Sequence, residues 1–231
     1  MKTPAAIVFD LDGTLVDSLP DMLKAMNTFL ARLNRRPVDL EEVKGWVGDG
    51  AKELVRRGLE ATGGIPDTPL ADLVRQYIDC YRGNAAHDTR PYPGVIDTLR
   101  RLKDAGHVLA VCTNKPQALS DEVLEGLGMT EFFAAVIGGD AVPEKKPDAG
   151  HLRSTLLAMG AICDGVENQG GEILRALMVG DSINDVQAAR GMGIPVVAVS
   201  FGYGRIKPQD LGADALIDDF ADLPKAAAAW L

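Results

Sequence analysis

Short apolar runs alternate along this chain with longer segments in which apolar residues recur at helical spacing. Residues 5–9 form an unbroken apolar run that stops at Asp10, a pattern typical of a strand buried on both faces of a parallel sheet. Further strands are predicted at 107–112, 134–137, 174–179, 195–199 and, as a weak edge strand, 215–217. Helices are predicted at 95–105, 116–127, 148–159, 185–192 and 221–231. This alternation predicts an α/β fold with a doubly wound parallel sheet that is covered by helices on both faces.

A block without strand patterns interrupts the alternation after the first strand. Helices are predicted there at 19–33, 40–46, 51–60 and 70–82. Gly48, Asp49 and Gly50 separate the second of these helices from the third. We therefore predict an all-helical cap domain at 17–87, inserted into a catalytic core that consists of 1–16 and 88–231.

The composition limits the classes of partner. The 231 residues are 46% hydrophobic and 25% charged, which is enough for a sizeable core, and the net charge is −9. This balance argues against a nucleic-acid partner, which needs clustered Lys and Arg, but it is compatible with a small anionic substrate if positive charge is concentrated at one site. We find no signal peptide and no apolar run long enough to cross a membrane. Three scattered cysteines indicate reduced thiols in a cytoplasmic protein, and we expect a monomer or a homodimer.

Polar residues follow four of the predicted strands at the point where each strand ends. They are Asp10 and Asp12 after the first strand, Thr113, Asn114 and Lys115 after the second, Lys145 and Lys146 past the third, and Gly180, Asp181, Ser182 and Asp185 after the fourth. In open α/β sheets, ligands bind outside the carboxyl ends of the strands. Each strand end alone is compatible with turn or helix-cap chemistry. Their coincidence at one edge of the sheet predicts a single functional site.

The residue types at this edge favour phosphoryl transfer. Asp10, Asp12 and Asp181 concentrate negative charge, which requires a cation or a proton between them, and oxygen ligands of this kind suit Mg²⁺. A carboxylate can attack phosphorus and form an aspartyl-phosphate, while a second acid/base protonates the leaving oxygen and then activates water. Asp12 fits the second role because, in an extended segment, it points to the same side as Asp10. Thr113 and a lysine are suited to hold the phosphoryl oxygens.

Four motifs, in this order, resemble those of the haloacid dehalogenase superfamily. They are DLDGTLVDS at 10–18, TN at 113–114, KKP at 145–147 and GDSIND at 180–185. The resemblance implies a Rossmann-like core with a helical cap, a Mg²⁺ cofactor and an aspartyl-phosphate route. For catalysis it implies Asp10 as nucleophile, Asp12 as acid/base and Lys146 as the motif lysine. The implied metal ligands are Asp10, Asp181 and the main-chain carbonyl of Asp12. Thr113 and Asn114 are implied as phosphate-binding residues, and Gly180, Ser182 and Asp185 as supporting residues. Members that dehalogenate carbon lack an acid at the position of Asp12, so its presence favours phosphoryl transfer.

Within the superfamily, the chain is most similar to the bacterial phosphoglycolate phosphatases. The similarity rests on FDLDGTLVDSLPD at 9–21, WVGDGAKELVRRGL at 46–59, CTNKP at 112–116, FFAAVIGGDAVPEKKPDAGHL at 132–152 and FGYG at 201–204. It implies Mg²⁺-dependent hydrolysis of 2-phosphoglycolate to glycolate and phosphate. The alternatives are a related phosphatase for pyrophosphate, nucleotides or sugar phosphates, a phosphomutase, and a non-enzymatic interaction protein on the same fold. The segment 162–173 is longer and more polar than usual for this group, and we expect a surface loop there.

The predicted cap offers candidates for recognising the substrate. We expect the loop 48–50 to face the site, with its backbone amides in contact with a small anion; the alternative is a plain turn between helices. Lys52, Arg56 and Arg57 are candidates for binding a substrate carboxylate. Outside the cap, we expect Lys145 to be solvated and Lys146 to be buried in the site. His87, His107 and His151 are expected to be structural, and Cys112 to lie in the core.

Overall fold

A six-stranded parallel sheet forms the centre of the molecule. The computed structural model describes residues 4–161 and 175–230. The strands in these residues are β1 (Ala5–Phe9), β2 (Val16–Asp17), β3 (Arg90–Pro91), β4 (Val108–Cys112), β5 (Ala135–Ile137), β6 (Arg175–Gly180), β7 (Val196–Val199) and β8 (Ala215–Ile217). The order across the main sheet is β5-β4-β1-β6-β7-β8, whereas β2 and β3 pair antiparallel in a separate ribbon. Because the chain winds outward from β1 first on one side and then on the other, the predicted doubly wound α/β fold is confirmed.

The register of the sheet aligns the ends of its three central strands. All five residues of β1 are buried, as expected for an unbroken apolar run. Phe9 is level with Val111 of β4 on one side and with Val179 of β6 on the other. The residues that follow these strands therefore emerge at one edge, beside the switch point between β1 and β6 where open α/β sheets bind ligands.

Helices cover both faces of this sheet. The helices in the described residues are α1 (Leu19–Arg32), α2 (Leu40–Lys44), α3 (Ala51–Ala61), α4 (Leu70–Tyr81), α5 (Val95–Asp104), α6 (Gln117–Gly126), α7 (Ala149–Ala158), α8 (Ile183–Met192) and α9 (Leu223–Ala226). Phe9 of β1 belongs to the same apolar cluster as Leu99 of α5, while Val8 belongs to the cluster that contains Leu152 of α7. Successive residues of β1 thus contribute to opposite faces, which explains why the whole strand is apolar.

Helices α1 to α4 lie between β2 and β3 in the chain and pack on one another. Phe29 of α1 meets Tyr77 of α4 edge to face, with ring centroids 6.3 Å apart. The chain returns to the core at Asp88 and Thr89, whose backbone N–H groups each donate to the buried carboxylate of Asp21 at 2.7 Å. The predicted cap boundary at 17 falls on the last residue of β2, and the one at 87 lies shortly before β3. The division into two domains stays a prediction.

Predicted and observed element ends differ by one or two residues, except at the C-terminus. The helix predicted at 221–231 is wrong in its extent, because Phe220–Asp222 is a 3-10 turn and α9 covers only Leu223–Ala226. Ala228 and Ala229, which follow α9, are exposed. Alanine favours helix, but a short helix that buries little apolar surface is only marginally stable.

Residues 162–174 lie outside the described residues, and with them Cys163, the loop predicted at 162–173 and the first residue of the strand predicted at 174–179. None of the helices in the described parts of the chain combines the length and the apolar character that a membrane crossing requires.

Candidate active site

Asp10 and Lys146 form the centre of the site. Asp10 directly follows β1, and its backbone N–H donates to the carbonyl of Val179 at 2.9 Å. Lys146 arrives from the loop after β5, with Nζ 2.8 Å from Asp10 Oδ1 and 2.7 Å from Asp185 Oδ1, and it also donates to the carbonyl of Cys112. Its side chain is 2% exposed, so this positive charge faces the site and not the solvent.

These charges shift one another's proton affinity. Burial raises the pKa of Asp10 to about 6; Lys146 opposes the rise, and repulsion from Asp185 adds to it. Burial alone would lower the pKa of Lys146, but the charges of Asp10 and Asp185 outweigh it and raise that pKa. Lys146 therefore remains a cation near neutral pH, while Asp10 is a stronger base than an ordinary aspartate.

Asp12 has a lysine of its own. Asp12 Oδ1 accepts a hydrogen bond from Ser18 Oγ at 2.6 Å and lies 3.0 Å from Lys115 Nζ. Lys115 is 5% exposed and also donates to the Tyr81 hydroxyl at 3.1 Å. The sequence placed Lys115 at this strand end but assigned no role to it, because its contacts with Asp12 and Tyr81 join residues far apart in the chain. Sequence reasoning missed Tyr81 as a site residue.

Thr113 and Asn114 follow β4 but differ in what they contact. Thr113 lines a cavity that Asp10 also lines, and its hydroxyl accepts a hydrogen bond from the backbone N–H of Lys115 at 3.2 Å. Asn114 Nδ2 donates to the carbonyl of Lys146 at 2.8 Å and to that of Gly48 at 2.9 Å. The phosphate-binding role of Thr113 stays a prediction, while the amide nitrogen of Asn114 joins the loop that carries Lys146 to the loop 48–50.

Asp181 and Asp185 lie at the end of β6 and in the first turn of α8. Asp181 Oδ2 accepts a hydrogen bond from the backbone N–H of Tyr203 at 2.6 Å. Asp185 Oδ2 accepts from the backbone N–H of Ser182 at 3.0 Å and from its hydroxyl at 2.7 Å, which completes a capping box at the start of α8. A Cβ on Gly180 would lie 2.3 Å from Asp185 Cγ, so a larger residue there would displace this carboxylate.

Three of these carboxylates fit a hard divalent cation. Oxygens of Asp10, Asp181 and Asp185 all lie within 4.8 Å of one another. Burial raises the pKa of Asp181 well above its ordinary value, and the charges of Asp10 and Asp185 add to the rise. A cation would relieve this repulsion, and an all-oxygen set suits Mg²⁺. Gly13, with φ +87°, leaves the room that the Asp181 carboxylate occupies, since a Cβ there would lie 2.4 Å from Asp181 Oδ2. The carboxylate of Asp12 is engaged by Ser18 and Lys115 and is not part of this group.

The loop 48–50 meets the core through its carbonyl groups. The Gly48 carbonyl accepts from Asn114 and, at 3.1 Å, from Asn184 Nδ2. The Asp49 carbonyl accepts from Lys145 Nζ at 3.2 Å. The expectation that Lys145 is a solvated surface lysine is wrong, because this contact leaves it half-buried. The amide contacts to a substrate anion that we expect from this loop stay a prediction.

The carboxylate of Asp49 connects this loop to its surroundings on two sides. Asp49 Oδ1 accepts from Asn184 Nδ2 at 2.9 Å, and Oδ2 accepts from Arg205 at 2.6 Å and from Arg57. Burial would raise the pKa of Asp49, but the hydrogen bonds from Asn184 and Arg57 and the charge of Arg205 outweigh it and lower that pKa. We call Asp49, Arg57, Asn184 and Arg205 the cap latch. Sequence reasoning missed Asn184 and Arg205, whose distance along the chain gives no signal of this contact.

The cationic residues of α3 that were candidates for a substrate carboxylate are not brought to the cavity. Lys52 is exposed, and Arg56 forms ion pairs with Glu53 and Glu60 along the same helix. Arg57 belongs to the cap latch. None of the three is therefore among the residues that line the cavity beside Asp10.

His151 holds the loop that carries Lys146 through a hydrogen bond to its backbone. Its Nδ1 accepts a hydrogen bond from the backbone N–H of Lys146 at 3.3 Å, and its Nε2 lies 3.2 Å from the carbonyl of Ile137. Burial lowers the pKa of His151 to about 4, and the charge of Lys146 adds to this effect. These contacts agree with the structural role expected for this histidine. Cys112 is fully buried in the core, as predicted.

Known proteins match this chain in sequence and in fold. Residues 7–199 match the family model described as haloacid dehalogenase-like hydrolase. The phosphoglycolate phosphatase of Caulobacter vibrioides is 44% identical over 223 residues, which cover 96% of this chain and 90% of that protein. The phosphoglycolate phosphatase of Agrobacterium fabrum is 41% identical over 226 residues, which cover 97% and 92%. A crystal structure described as a predicted phosphoglycolate phosphatase from Haemophilus somnus superposes with a TM-score of 0.86 at 33% identity, covering 97% of this chain and 98% of that one.

Proposed function

The chain belongs to the haloacid dehalogenase-like hydrolases, and from this premise we propose that it hydrolyses 2-phosphoglycolate to glycolate and phosphate with the help of Mg²⁺. One observation carries the proposal. Asp10 and Asp12 are both buried, yet each carboxylate has a separate buried lysine, Lys146 and Lys115. This arrangement keeps two aspartates side by side in distinct roles, which a two-step phosphoryl transfer requires.

In the first step, Asp10 Oδ attacks phosphorus, and the bond from phosphorus to the glycolate oxygen breaks. Asp12 gives its proton to that oxygen, so glycolate leaves as an alcohol. Lys146 and Thr113 lie beside the reacting group, where they hold the phosphoryl oxygens and offset their charge. The product of this step is an aspartyl-phosphate on Asp10.

In the second step, Asp12 takes a proton from a water molecule, and the water oxygen attacks phosphorus. The bond between phosphorus and the Asp10 oxygen breaks, which releases phosphate and restores the free carboxylate. Asp12 regains its proton and is ready for another cycle. Ser18 and Lys115 hold Asp12 in place for both proton transfers.

The proposed cofactor is Mg²⁺, held by Asp10 and Asp181, by the main-chain carbonyl of Asp12 and with support from Asp185. When bound, it offsets the charge of the substrate phosphate and of the carboxylates that surround it. The clustering of these carboxylates and the raised pKa values of Asp10 and Asp181 support the assignment. The cytoplasmic location, and a monomer or homodimer as the working form, belong to the same proposal.

The Asp10→Asn variant tests the mechanism. We expect phosphate release from 2-phosphoglycolate to fall below detection, because an amide cannot form the aspartyl-phosphate, while the melting temperature stays near that of the wild type. The measurement is a phosphate-release assay over a panel of small phosphate esters, with and without Mg²⁺. Asp67→Asn, at an exposed position, is the matched control and should keep full activity. Wild-type activity in Asp10→Asn would refute the mechanism, and equal rates on 2-phosphoglycolate and on bulky sugar phosphates would refute the named substrate.

A further inference from the structure

We propose that a small cavity beside Asp12 is a carboxylate-binding pocket, in which Tyr77, Tyr81 and Lys115 select substrates that carry an acid group next to the phosphorylated carbon. This inference rests on the proposed function. It names the groups that recognise the part of the substrate other than the phosphoryl group, a role that the predicted cap cations do not fill.

The cavity lies between α1, α3 and α4 on one side and the strand ends on the other. Its floor holds the catalytic residues Asp10, Asp12 and Thr113. Its walls are largely apolar, and the residues that form them include Met22, Val47, Leu54 and Leu119. A substrate that places its phosphoryl group at Asp10 therefore extends its remaining atoms into this recess.

Tyr77 lines this recess, and its hydroxyl has no partner there. Tyr77 is 1% exposed, and its oxygen makes no hydrogen bond to any residue within 4–161 and 175–230. Buried hydroxyls in folded proteins nearly always have a hydrogen-bond partner, so an unpaired one on a residue that lines a cavity points to a ligand. Burial raises the pKa of this hydroxyl well above its ordinary value, which keeps it a hydrogen-bond donor.

Two further donors share the recess. Tyr81 accepts from Lys115 Nζ at 3.1 Å, and among the described residues no acceptor receives the proton of its own hydroxyl. The ring of Tyr81 is 6.0 Å from that of Tyr77, so the two tyrosines adjoin. Lys115 has three ammonium protons. Tyr81 accepts one and Asp12 accepts another, so one proton is left for a ligand. The recess thus offers two hydroxyl donors and a buried positive charge, a set that suits a carboxylate.

The size of the cavity limits the part of the substrate that lies beyond the phosphoryl group. Its volume is about 50 Å³. A single water needs about 10–15 Å³ on this scale, so the cavity, which also borders the place of the phosphoryl group at Asp10, is small. The methylene and carboxylate of glycolate are four heavy atoms, whereas a sugar or a nucleoside is several times larger. Charge and volume together therefore favour a two-carbon acid.

The test compares two ligands of the same length. 2-Phosphoglycolate and ethyl phosphate differ at the second carbon, which is a carboxylate in one and a methyl group in the other. We would measure their binding to Asp10→Asn by calorimetry in the presence of Mg²⁺, and their turnover by the wild type. The expected result is that 2-phosphoglycolate binds at least about tenfold more tightly than ethyl phosphate, because hydrogen bonds to a charged group are involved.

Tyr77→Phe then isolates the unpaired hydroxyl. In the Asp10→Asn background it should weaken 2-phosphoglycolate binding by about ten- to a hundredfold and leave ethyl phosphate binding unchanged. The ring is kept and no internal hydrogen bond is lost, so the melting temperature should not fall. Tyr92→Phe makes the same chemical change outside the cavity and should alter the binding of neither ligand.

The outcomes separate this inference from the proposed function. If the two ligands bind equally to Asp10→Asn and the wild type hydrolyses both, the carboxylate pocket is overturned, whereas the proposed phosphatase activity is not. A loss of the same size for both ligands in Tyr77→Phe would also overturn it, because a merely structural role predicts that result. If the pocket binds 2-phosphoglycolate selectively but the wild type releases no phosphate from it, the proposed reaction fails and the pocket stands.

Discussion

At the scale of single residues, the site depends on how two aspartates two positions apart are kept distinct. Lys146 bridges Asp10 to Asp185, whereas Lys115 joins Asp12 to the hydroxyl of Tyr81. Both lysines are buried, so each acts on its own carboxylate with little screening by solvent. Asp10 therefore belongs to the carboxylate cluster that fits a cation, and Asp12 is linked to a residue that lines the proposed substrate pocket.

Mg²⁺ binding should depend on pH, because burial raises the pKa of Asp10 to about 6 from 3.8. A carboxyl group with a raised pKa in the folded state stabilises the metal-free fold fully below pH 3.8, and that stabilisation is lost as the pH rises through about 6. The amount is about 3 kcal/mol. Mg²⁺ must compete with this proton at low pH and meets the ionised carboxylate at high pH.

We therefore expect a saturating concentration of Mg²⁺ to raise the melting temperature more at pH 7.5 than at pH 5. Thermal melts of wild type and of Asp181→Asn at both pH values measure this. The variant should lose most of the Mg²⁺ effect. An increment that is the same at pH 5 and pH 7.5 would contradict the assignment of Asp10 to the cation site.

His151 should make the fold sensitive to mild acid. Its pKa is about 4 in the folded protein, against 6.5 for the ordinary side chain, so the unfolded chain binds a proton first as the pH falls. Stability is thus unaffected above pH 6.5 and falls by about 1.4 kcal/mol per pH unit between 6.5 and 4. His151→Gln should reduce the loss of unfolding free energy between pH 7.5 and pH 5 by about 2 kcal/mol, measured by denaturant titration. His87→Gln, at an exposed position, should leave that loss unchanged.

At the scale of elements, the short connection between α2 and α3 makes hydrogen bonds to many of the residues around the site. Its carbonyls accept from Asn114, Asn184 and Lys145, and the Asp49 carboxylate accepts from Arg205. The loop therefore contacts residues that follow β4, β5, β6 and β7. Because it contacts residues all along this edge of the sheet, the loop is suited to exclude water once a substrate is bound.

Opening the cap latch should slow catalysis more than it lowers stability. Asp49→Ala removes hydrogen bonds from Asn184, Arg57 and Arg205, and we expect kcat/KM for 2-phosphoglycolate to fall by about tenfold. The melting temperature should change little, because the latch is partly exposed and screened by solvent. Arg56→Ala is the control, since its ion pairs stay on the surface of α3. If Asp49→Ala keeps full kcat/KM, the latch is only a surface contact.

Strand ends and motif residues were predictable from sequence because their signals are local. The apolar run 5–9 ends at Asp10, and GDSIND places Asp181 and Asp185 within about one turn of each other. The partners of these residues were not predictable in the same way. Lys115 is buried by Asp12, 103 positions away, and Arg205 reaches Asp49 across 156 positions. Only the winding of the sheet and the return of the chain from α4 create those contacts.

At the scale of the whole molecule, charge is distributed unevenly. The chain carries a net charge of −9, but the proposed substrate is itself an anion. Lys115, Lys146 and Arg205 supply positive charge around the catalytic edge, two of them buried. Local positive charge on an acidic protein attracts a small anion to one place while the remaining surface repels it. Association with the substrate should therefore weaken as the ionic strength rises.

The division into core and cap can be tested by closing the ribbon. Asp17 of β2 is opposite Arg90 of β3, so two residues suffice to join them, and Asn-Gly favours such a turn. Replacing 18–89 by Asn-Gly should leave a core that folds with a lower melting temperature. It should lose the preference for 2-phosphoglycolate over glucose 6-phosphate, because Tyr77 and Tyr81 are removed. Circular dichroism and the ratio of the two kcat/KM values measure this. A shortened chain without cooperative melting would show that the core depends on the helices for its stability.

The same ribbon bears on how proteins of this architecture diversify. The chain leaves the ribbon at Asp17 and returns at its direct partner Arg90, so an insert of any length whose ends are equally close can replace another by recombination. Asp10, Lys146 and Asp181 would keep their positions through such an exchange, since none of them lies between the two strands of the ribbon. Reaction chemistry and substrate range can therefore be inherited separately, and a library of caps on this one core is a route to new specificities.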